Sequence, residues 1–277
     1  MDIIETIPEM HRWRRAAGRV VCVPTMGNLH AGHLDLVRIA REHAPRVVAT
    51  MFVNRLQFLP GEDFERYPRT FEADCAALSK AGVAALFAPQ EQTLYPEPQT
   101  LKVVPPAELT NQLEGVFRPG FFTGVATVVA KLFNIIAPEI AVFGKKDYQQ
   151  CLVIRHMVRQ LALPIDIVTG ETIRASDGLA LSSRNGYLSS EERGRAAHLH
   201  RTLQRLGEAL RAGEQDLARL EAQAQDDLRQ AGFQPDYVAV RKQSDLQSPS
   251  AQDPALVILG AARIGNTRLI DNLEVER

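Results

Sequence analysis

Tryptophan occurs once, aromatic side chains make up 6% of the chain, and there are only three cysteines in 277 residues. So little cysteine excludes a disulfide scaffold. Cys22, Cys75 and Cys151 stand singly in apolar segments, without ligand spacing, and read as packing residues of a reduced, cytoplasmic protein. Neither sign of charge is in excess, 32 basic against 33 acidic side chains. With no basic stripe interleaved with aromatics, a nucleic-acid partner is not expected. Long apolar runs are missing as well. The richest, from Gly124 to Ala137, is interrupted by Lys131 and Asn134, which speaks against a membrane span. Asp2, Glu5 and Glu9 fit neither a secretory nor a transit peptide. No Gly-x-Gly-x-x-Gly follows a strand pattern and no Walker A loop is present, so nicotinamide and P-loop chemistries lose their main support.

What is present centres on Val23-Pro24-Thr25-Met26-Gly27-Asn28-Leu29-His30-Ala31-Gly32-His33. Val20 to Val23 is a short, apolar, mostly β-branched run, the pattern of a strand buried on both faces of a parallel sheet. Leu34, Leu36, Val37 and Ala40 then recur at helical spacing. The stretch is therefore a βα turn, and the N–H groups and positive dipole end of such a helix favour a phosphate. His30 and His33, three apart at the helix start, bring two imidazoles to one anion, as hydrogen-bond donors or as positive charges. The plainer alternative is that one histidine only caps the helix or packs. Zinc is disfavoured, because the spacing is not His-Glu-x-x-His and no Cys or carboxylate completes a ligand set.

The length suits two lobes. Val47 to Val53 closes a βαβ unit with the first strand and ends at Asn54-Arg55-Leu56-Gln57-Phe58. Ligands in an open α/β sheet lie beyond the carboxyl ends of strands, which directs Asn54 and Gln57 to the histidines' crevice, although a solvated loop glutamine is the alternative. A helix spaced by Phe71, Cys75 and Leu78 precedes a strand at 84–87. The glycine-containing loop 118–124 leads into a strongly periodic helix from Val125 to Ile136, and Ile140 to Phe143 is another strand. Its exit, Gly144-Lys145-Lys146-Asp147, supplies a glycine for close approach, a cation for phosphate and a carboxylate for ribose hydroxyls; a solvated Lys-Lys pair is the alternative. After a strand near 164–168, Leu181-Ser182-Ser183-Arg184-Asn185 is dense in donors. Arg184 and the serines suit the far side of a triphosphate. Helices near 191–211 and 216–231 and strands near 237–240, 255–259 and 267–270 make a smaller α+β lobe.

Four motifs in order, Pro24 to His33, Phe52-Val53-Asn54, Phe143 to Gln150 and Asp177 to Asn185, together with Arg268-Leu269-Ile270-Asp271-Asn272, resemble the pantothenate synthetase family nearly end to end. The histidine pair alone would suggest only the wider nucleotidyltransferase superfamily. The resemblance implies an α/β fold: a Rossmann-like parallel-sheet nucleotidyltransferase domain (1–173) with a smaller C-terminal α+β lid (174–277). It also implies a homodimer, and ATP with magnesium. Pantoate would attack the α-phosphate to give pantoyl adenylate, and β-alanine would then displace AMP. In site terms it implies nucleotide contacts from Met26, Gly27, Asn28, Leu29, His30, Ala31, Gly32, His33, Gly144, Lys145, Lys146, Asp147, Ile173, Leu181, Ser182, Ser183 and Arg184. His30, His33, Lys146 and Arg184 would be catalytic, with His33 as proton donor. Gln57 and Gln150 would hold pantoate, and Gln57 would also lie by β-alanine. No residue is named as a metal ligand, which leaves protein side chains and ATP phosphates both open as the metal's holders, and no base for the β-alanine step can be named.

Two positions depart from the family pattern. Phe-Val-Asn-Pro-x-Gln-Phe becomes Phe-Val-Asn-Arg55, losing the fixed φ of proline before Gln57 and adding a charge that would attract pantoate or misplace the loop. Arg-Pro-Gly-His-Phe becomes Arg-Pro-Gly-Phe121, losing a titratable donor. Two other readings stay open: a different small-molecule adenylyl- or cytidylyltransferase, and, because of Arg55 and Phe121, a catalytically weakened nucleotide-binding paralogue.

Overall fold

Short apolar runs become the six strands of one parallel sheet in a computed structural model that describes residues 1–277. They are β1 (Asp2–Ile4), β2 (Val20–Thr25), β3 (Arg46–Met51), β4 (Ala85–Phe87), β5 (Ile140–Gly144) and β6 (Asp166–Gly170), in the order β1-β4-β3-β2-β5-β6. Crossover segments carry α1 (Ile7–Ala16), α2 (Ala31–His43), α3 (Phe71–Lys80), the single turns α4 (Glu91–Leu94), α5 (Ala107–Thr110) and α6 (Glu114–Phe117), then α7 (Phe121–Ile136) and α8 (Tyr148–Gln160). The C-terminal region holds α9 (Ser190–Ala196), α10 (His198–Arg211) and α11 (Leu217–Gln230) against an antiparallel sheet of β7 (Gln234–Lys242), β8 (Ala255–Ile264) and β9 (Thr267–Glu276). No helix is long and apolar enough to cross a membrane.

The strand order reverses at β2, which pairs with β3 on one side and β5 on the other. This is the switch point at which open α/β sheets leave a crevice. Val20 to Val23 are fully buried there, as their two-sided apolar pattern requires. Pairing of β2 with β5 stops at Cys22, whereas pairing with β3 runs on to Thr25. The extension includes Pro24, normally foreign to a central strand. It fits because Thr25 directs its N–H and C=O toward the β3 side, to Thr50 Oγ1 and the Phe52 N–H. The missing N–H of Pro24 therefore faces the side where the ladder has already ended. That splay opens the crevice.

Some expected elements change. β1, three residues long, carries too little pattern to read from sequence, and α4 to α6 occupy what reads as irregular loop. The expected 191–211 helix divides between α9 and α10 at Ala197. The C-terminal strands run longer than their apolar cores suggest, because β8 and β9 form one hairpin about Gly265 and Asn266. The C-terminal region also packs on the parallel-sheet domain. Ala239, Leu246, Val257 and Leu259 join the same buried cluster as α7 and α8.

Candidate active site

The β2–α2 turn is built by its own side chains. Gly27 has φ +83° and Asn28 φ +50°, so successive backbone N–H groups converge. They converge on a protein carboxylate: buried Asp74 of α3 accepts from the Asn28 N–H at 2.8 Å and the Leu29 N–H at 2.9 Å. His30 is the N-cap of α2. Its Nδ1 accepts from the Gly32 N–H at 3.2 Å, while His33 Nδ1 accepts from the His30 N–H at 3.3 Å. A Cβ at position 32 would lie 3.0 Å from the His30 ring, which is why a glycine separates the pair.

The capping alternative is thus realised in full, and it has a chemical consequence. With Nδ1 occupied as an acceptor, each neutral imidazole carries its proton on Nε2. The rings lie 4.1 Å apart and both line the cavity above the carboxyl ends of β2 and β5. Burial, and then the charges of its neighbours His33 and Lys146, push the His30 pKa down to about 3; burial and Lys146 push His33 to about 4. Of the two readings, hydrogen-bond donors or positive charges, these low values favour neutral N–H donors before an anion arrives.

Two adjoining cavities, about 230 and 210 Å³, share walls at Arg118, Phe121, Lys146, Asp147, Gln150, Ser182 and Arg184. Small-ligand sites occupy roughly 300–1,000 Å³, so two substrates need both chambers. Met26, His30, Gly32, His33, Gln57, Gly144, Lys146, Asp147, Gln150, Ile173, Leu181, Ser182, Ser183 and Arg184 line the first. Gly27, Asn28, Leu29, Ala31 and Lys145 do not line either. The amides of Asn28 and Leu29 belong to Asp74, and Asn28 is also tied to Ser183, whose hydroxyl donates to its carbonyl at 3.0 Å. The Lys145 ammonium pairs with Glu171 and with Glu274, the latter at 2.9 Å. In this structure these five brace the residues beside them, outside the walls of both chambers.

Three cationic side chains of arginine or lysine line the first chamber, and two are already paired. Arg184 makes a bidentate pair with Asp63, both bonds 3.0 Å. Arg118 does the same with Glu62 at 2.8 Å and donates to the Gln57 carbonyl at 3.0 Å. Lys146 alone has no side-chain partner. Asp147 and Gln150 likewise keep their polar groups unpartnered toward both chambers. Gln57 receives the Asn54 amide on Oε1 at 3.0 Å, and Asn54 is itself held by the Tyr95 hydroxyl and by the Gly124 carbonyl.

Both family departures are accommodated. Arg55 caps no pocket: it pairs with Glu65 and Glu91 on the surface and lies 4.0 Å over the Phe64 ring. Of the two expected effects the misplaced loop is not seen, since the turn from Arg55 to Gln57 is intact, and the charge lies outside both chambers. Phe121 presents its ring to the Arg118 guanidinium at 3.8 Å, making an apolar wall where a titratable donor would stand. Asp74, Asp63 and Glu62 are the site residues that sequence spacing misses. Each meets its partner far along the chain, and no local pattern marks it.

The chain matches the family model for pantoate-beta-alanine ligase over residues 2–274. It is 58% identical, over the full length of both chains, to the pantothenate synthetase of Chromobacterium violaceum. Its fold superposes on the crystal structure of pantothenate synthetase from Thermus thermophilus with a TM-score of 0.95 at 46% identity, covering all of both chains. The pantoate-beta-alanine ligase of Francisella tularensis, solved with a β,γ ATP ligand and β-alanine, gives 0.83 at 33% identity, covering 99% of this chain and 97% of that one. The parallel sheet with its splayed switch point, the paired imidazoles and these full-length matches make the chain a member of the pantoate–β-alanine ligase family, an enzyme of ATP-dependent pantoate and β-alanine condensation.

Proposed function

We propose that the condensation proceeds through pantoyl adenylate, with the chamber at the β2–β5 switch point as the adenylation site. Carrying this reading is one observation: two neutral imidazoles, their Nδ1 atoms tied to backbone, stand on the same cavity wall as Lys146, the chamber's unpartnered lysine or arginine cation. The pantoate carboxylate is ionised at neutral pH, since ordinary carboxylic acids titrate near about 4, so the first step needs no base. Its oxygen bonds to the α-phosphorus while the bond to the β-phosphate oxygen breaks and pyrophosphate leaves. Charge shifts onto phosphate oxygens, and the Nε2–H groups of His30 and His33 with the Lys146 ammonium stabilise it without reorganising. Asp147 accepts from ribose hydroxyls. Gln57 and Gln150 orient pantoate, and Ser182, Ser183, Ile173 and Leu181 frame the nucleotide. Arg184 joins the phosphates once Asp63 yields it. The β-alanine amine, beside Gln57 and in its unprotonated form, then attacks the acyl carbon; the acyl C–O bond to phosphate breaks, AMP departs and the nitrogen's surplus proton passes to solvent.

No cluster of three or more metal-ligating side chains is present. The donor set fits magnesium carried by the phosphates, with Asp147 as the one unpartnered carboxylate near them, because magnesium takes few protein ligands at nucleotide sites. When bound it neutralises phosphate charge. We extend the reading to a lid boundary near 173/174 and to a homodimer in a reducing, cytoplasmic setting that suits three free thiols. Leu101, 80% exposed, and Val104, 74% exposed, support a second copy as their cover. Sedimentation equilibrium tests the dimer.

The mechanism is tested by pyrophosphate exchange into ATP with magnesium, with and without pantoate. Exchange that requires pantoate is expected. Exchange with other acids but not pantoate would move the chain to another nucleotidyltransferase activity, and none in a folded, ATP-binding protein would mean a silent paralogue.

A further inference from the structure

The Lys145-Lys146 pair poses a question that neither the motif nor the cavity answers: what turns one ammonium inward and the other out. The partners of the turn come from the C-terminal strand β9. Asn272, 5% exposed, donates through Nδ2 to the Lys145 carbonyl at 3.1 Å and to the Lys146 carbonyl at 2.8 Å. Its own N–H is taken by Asp271 at 2.8 Å. Asp271 in turn receives both arms of Arg174, at 2.6 and 2.9 Å, from the segment leaving β6. Two residues along β9, Glu274 draws the Lys145 ammonium away at 2.9 Å and accepts from the Tyr148 hydroxyl at 3.1 Å.

We propose that Asn272 is a positioning residue for adenylation, holding the Lys145 and Lys146 carbonyls so that the Lys146 ammonium faces the phosphates. The inference rests on the reading of Lys146 as a phosphate-binding cation. A primary amide suits the task because it has two donors on one nitrogen, whereas aspartate only accepts and serine donates once. Those carbonyls lie in a tight turn closed by the Asp147 N–H on the Gly144 carbonyl. Without Asn272 two half-buried acceptors lose their donor and the turn relaxes. Strand β9 thereby makes adenylation depend on the seating of the C-terminal region.

The test is a double-mutant cycle in single-turnover adenylation, using Asn272→Ala, Lys146→Ala and the pair, at saturating ATP and pantoate. Asn272→Ala is expected to slow adenylation by on the order of 10²-fold, the cost of a misplacement of about 1 Å. In the Lys146→Ala background the same change is expected to cost nothing further, since the group it positions is gone. Multiplying losses would overturn the proposal, because a general structural role acts whether or not Lys146 is present. Wild-type rates in Lys146→Ala alone would remove the underlying reading of Lys146 and the proposal with it, a result visible before the cycle is closed. Should Asn272→Ala show no unfolding transition, Asn272→Ser, which keeps one donor, enters the same cycle with the same expectation.

Discussion

His30 joins two roles that are usually weighed against each other. Its Nδ1 caps α2, and in the proposed mechanism its Nε2–H is the donor to phosphate. Asparagine is among the best N-caps but has no donor in the Nε2 position, so His30→Asn separates the roles. Stability is expected to stay within about 1 kcal/mol of wild type, while pyrophosphate exchange falls by on the order of 10²–10³-fold, as when one transition-state donor is removed. Calorimetry and exchange read the two outcomes independently, and full activity in the variant would reduce His30 to a cap. Arg55 offers the opposite case. Asn54, at ψ 107°, has the extended conformation that precedes proline, and the Arg55 side chain points away from both chambers. Arg55→Pro is expected to change stability by no more than about 1 kcal/mol, since reduced freedom of the unfolded chain offsets the lost contact with Phe64. The KM for pantoate should not move. A large shift in it would restore a substrate role to this charge.

Helix α7 approaches the 54–57 turn through Gly124, where a Cβ would fall 2.2 Å from the Leu56 carbonyl oxygen and 2.8 Å from the Gln57 nitrogen. Both neighbours are backbone and have no rotamer to escape into. Gly124→Ala therefore pushes the whole turn, at a cost of about 1–3 kcal/mol for overpacking. Titrating each substrate should show a raised KM for pantoate with the KM for ATP little changed, because Lys146 and the histidines stand on other elements. Equal changes in both would mean that the turn does not carry the pantoate site. Packing of this kind also marks what was legible in the sequence. The buried strands read as apolar runs and α7 as a helical period, because burial on defined faces leaves a local pattern. The histidine pair and the Lys-Lys turn were legible as places, being fixed by spacing. Their detailed chemistry was not, since Glu274, which takes the Lys145 ammonium, lies 129 residues away. Asp74 is similarly hidden, 46 residues from the amide it holds, in a helix that reads only by its apolar face. The break at Ala197 has only Gly194, three residues earlier, to announce it.

The two regions share one buried cluster, so heat should unfold them together in a single transition. Its dependence on pH follows from groups in both. His30 and His33 titrate near 3 and 4 when folded, far below the roughly 6.5 of an unfolded histidine. Below about pH 6.5 the unfolded chain therefore binds protons that the native protein excludes, and stability falls as pH drops from there toward 4. Carboxylates act lower. Burial raises Glu114, but its hydrogen bonds and ion pair with Arg268 outweigh that and hold it below its usual value; Asp271 is held down by His200 and Arg174 against the same burial. Their contribution is complete above the unfolded carboxylate range, about 4, and disappears as pH falls through the depressed folded values. A plot of unfolding free energy against pH should then slope between pH 6 and 4.5 by up to about 1.4 kcal/mol per unit for each of the two histidines, and steepen below that. His30→Asn should remove close to half of the upper slope while leaving the lower limb in place. An upper limb that is flat in the wild type, or unchanged in the variant, would mean that the imidazoles are not buried as neutral caps, and the hydrogen-bond-donor account of the phosphate site would fall with them.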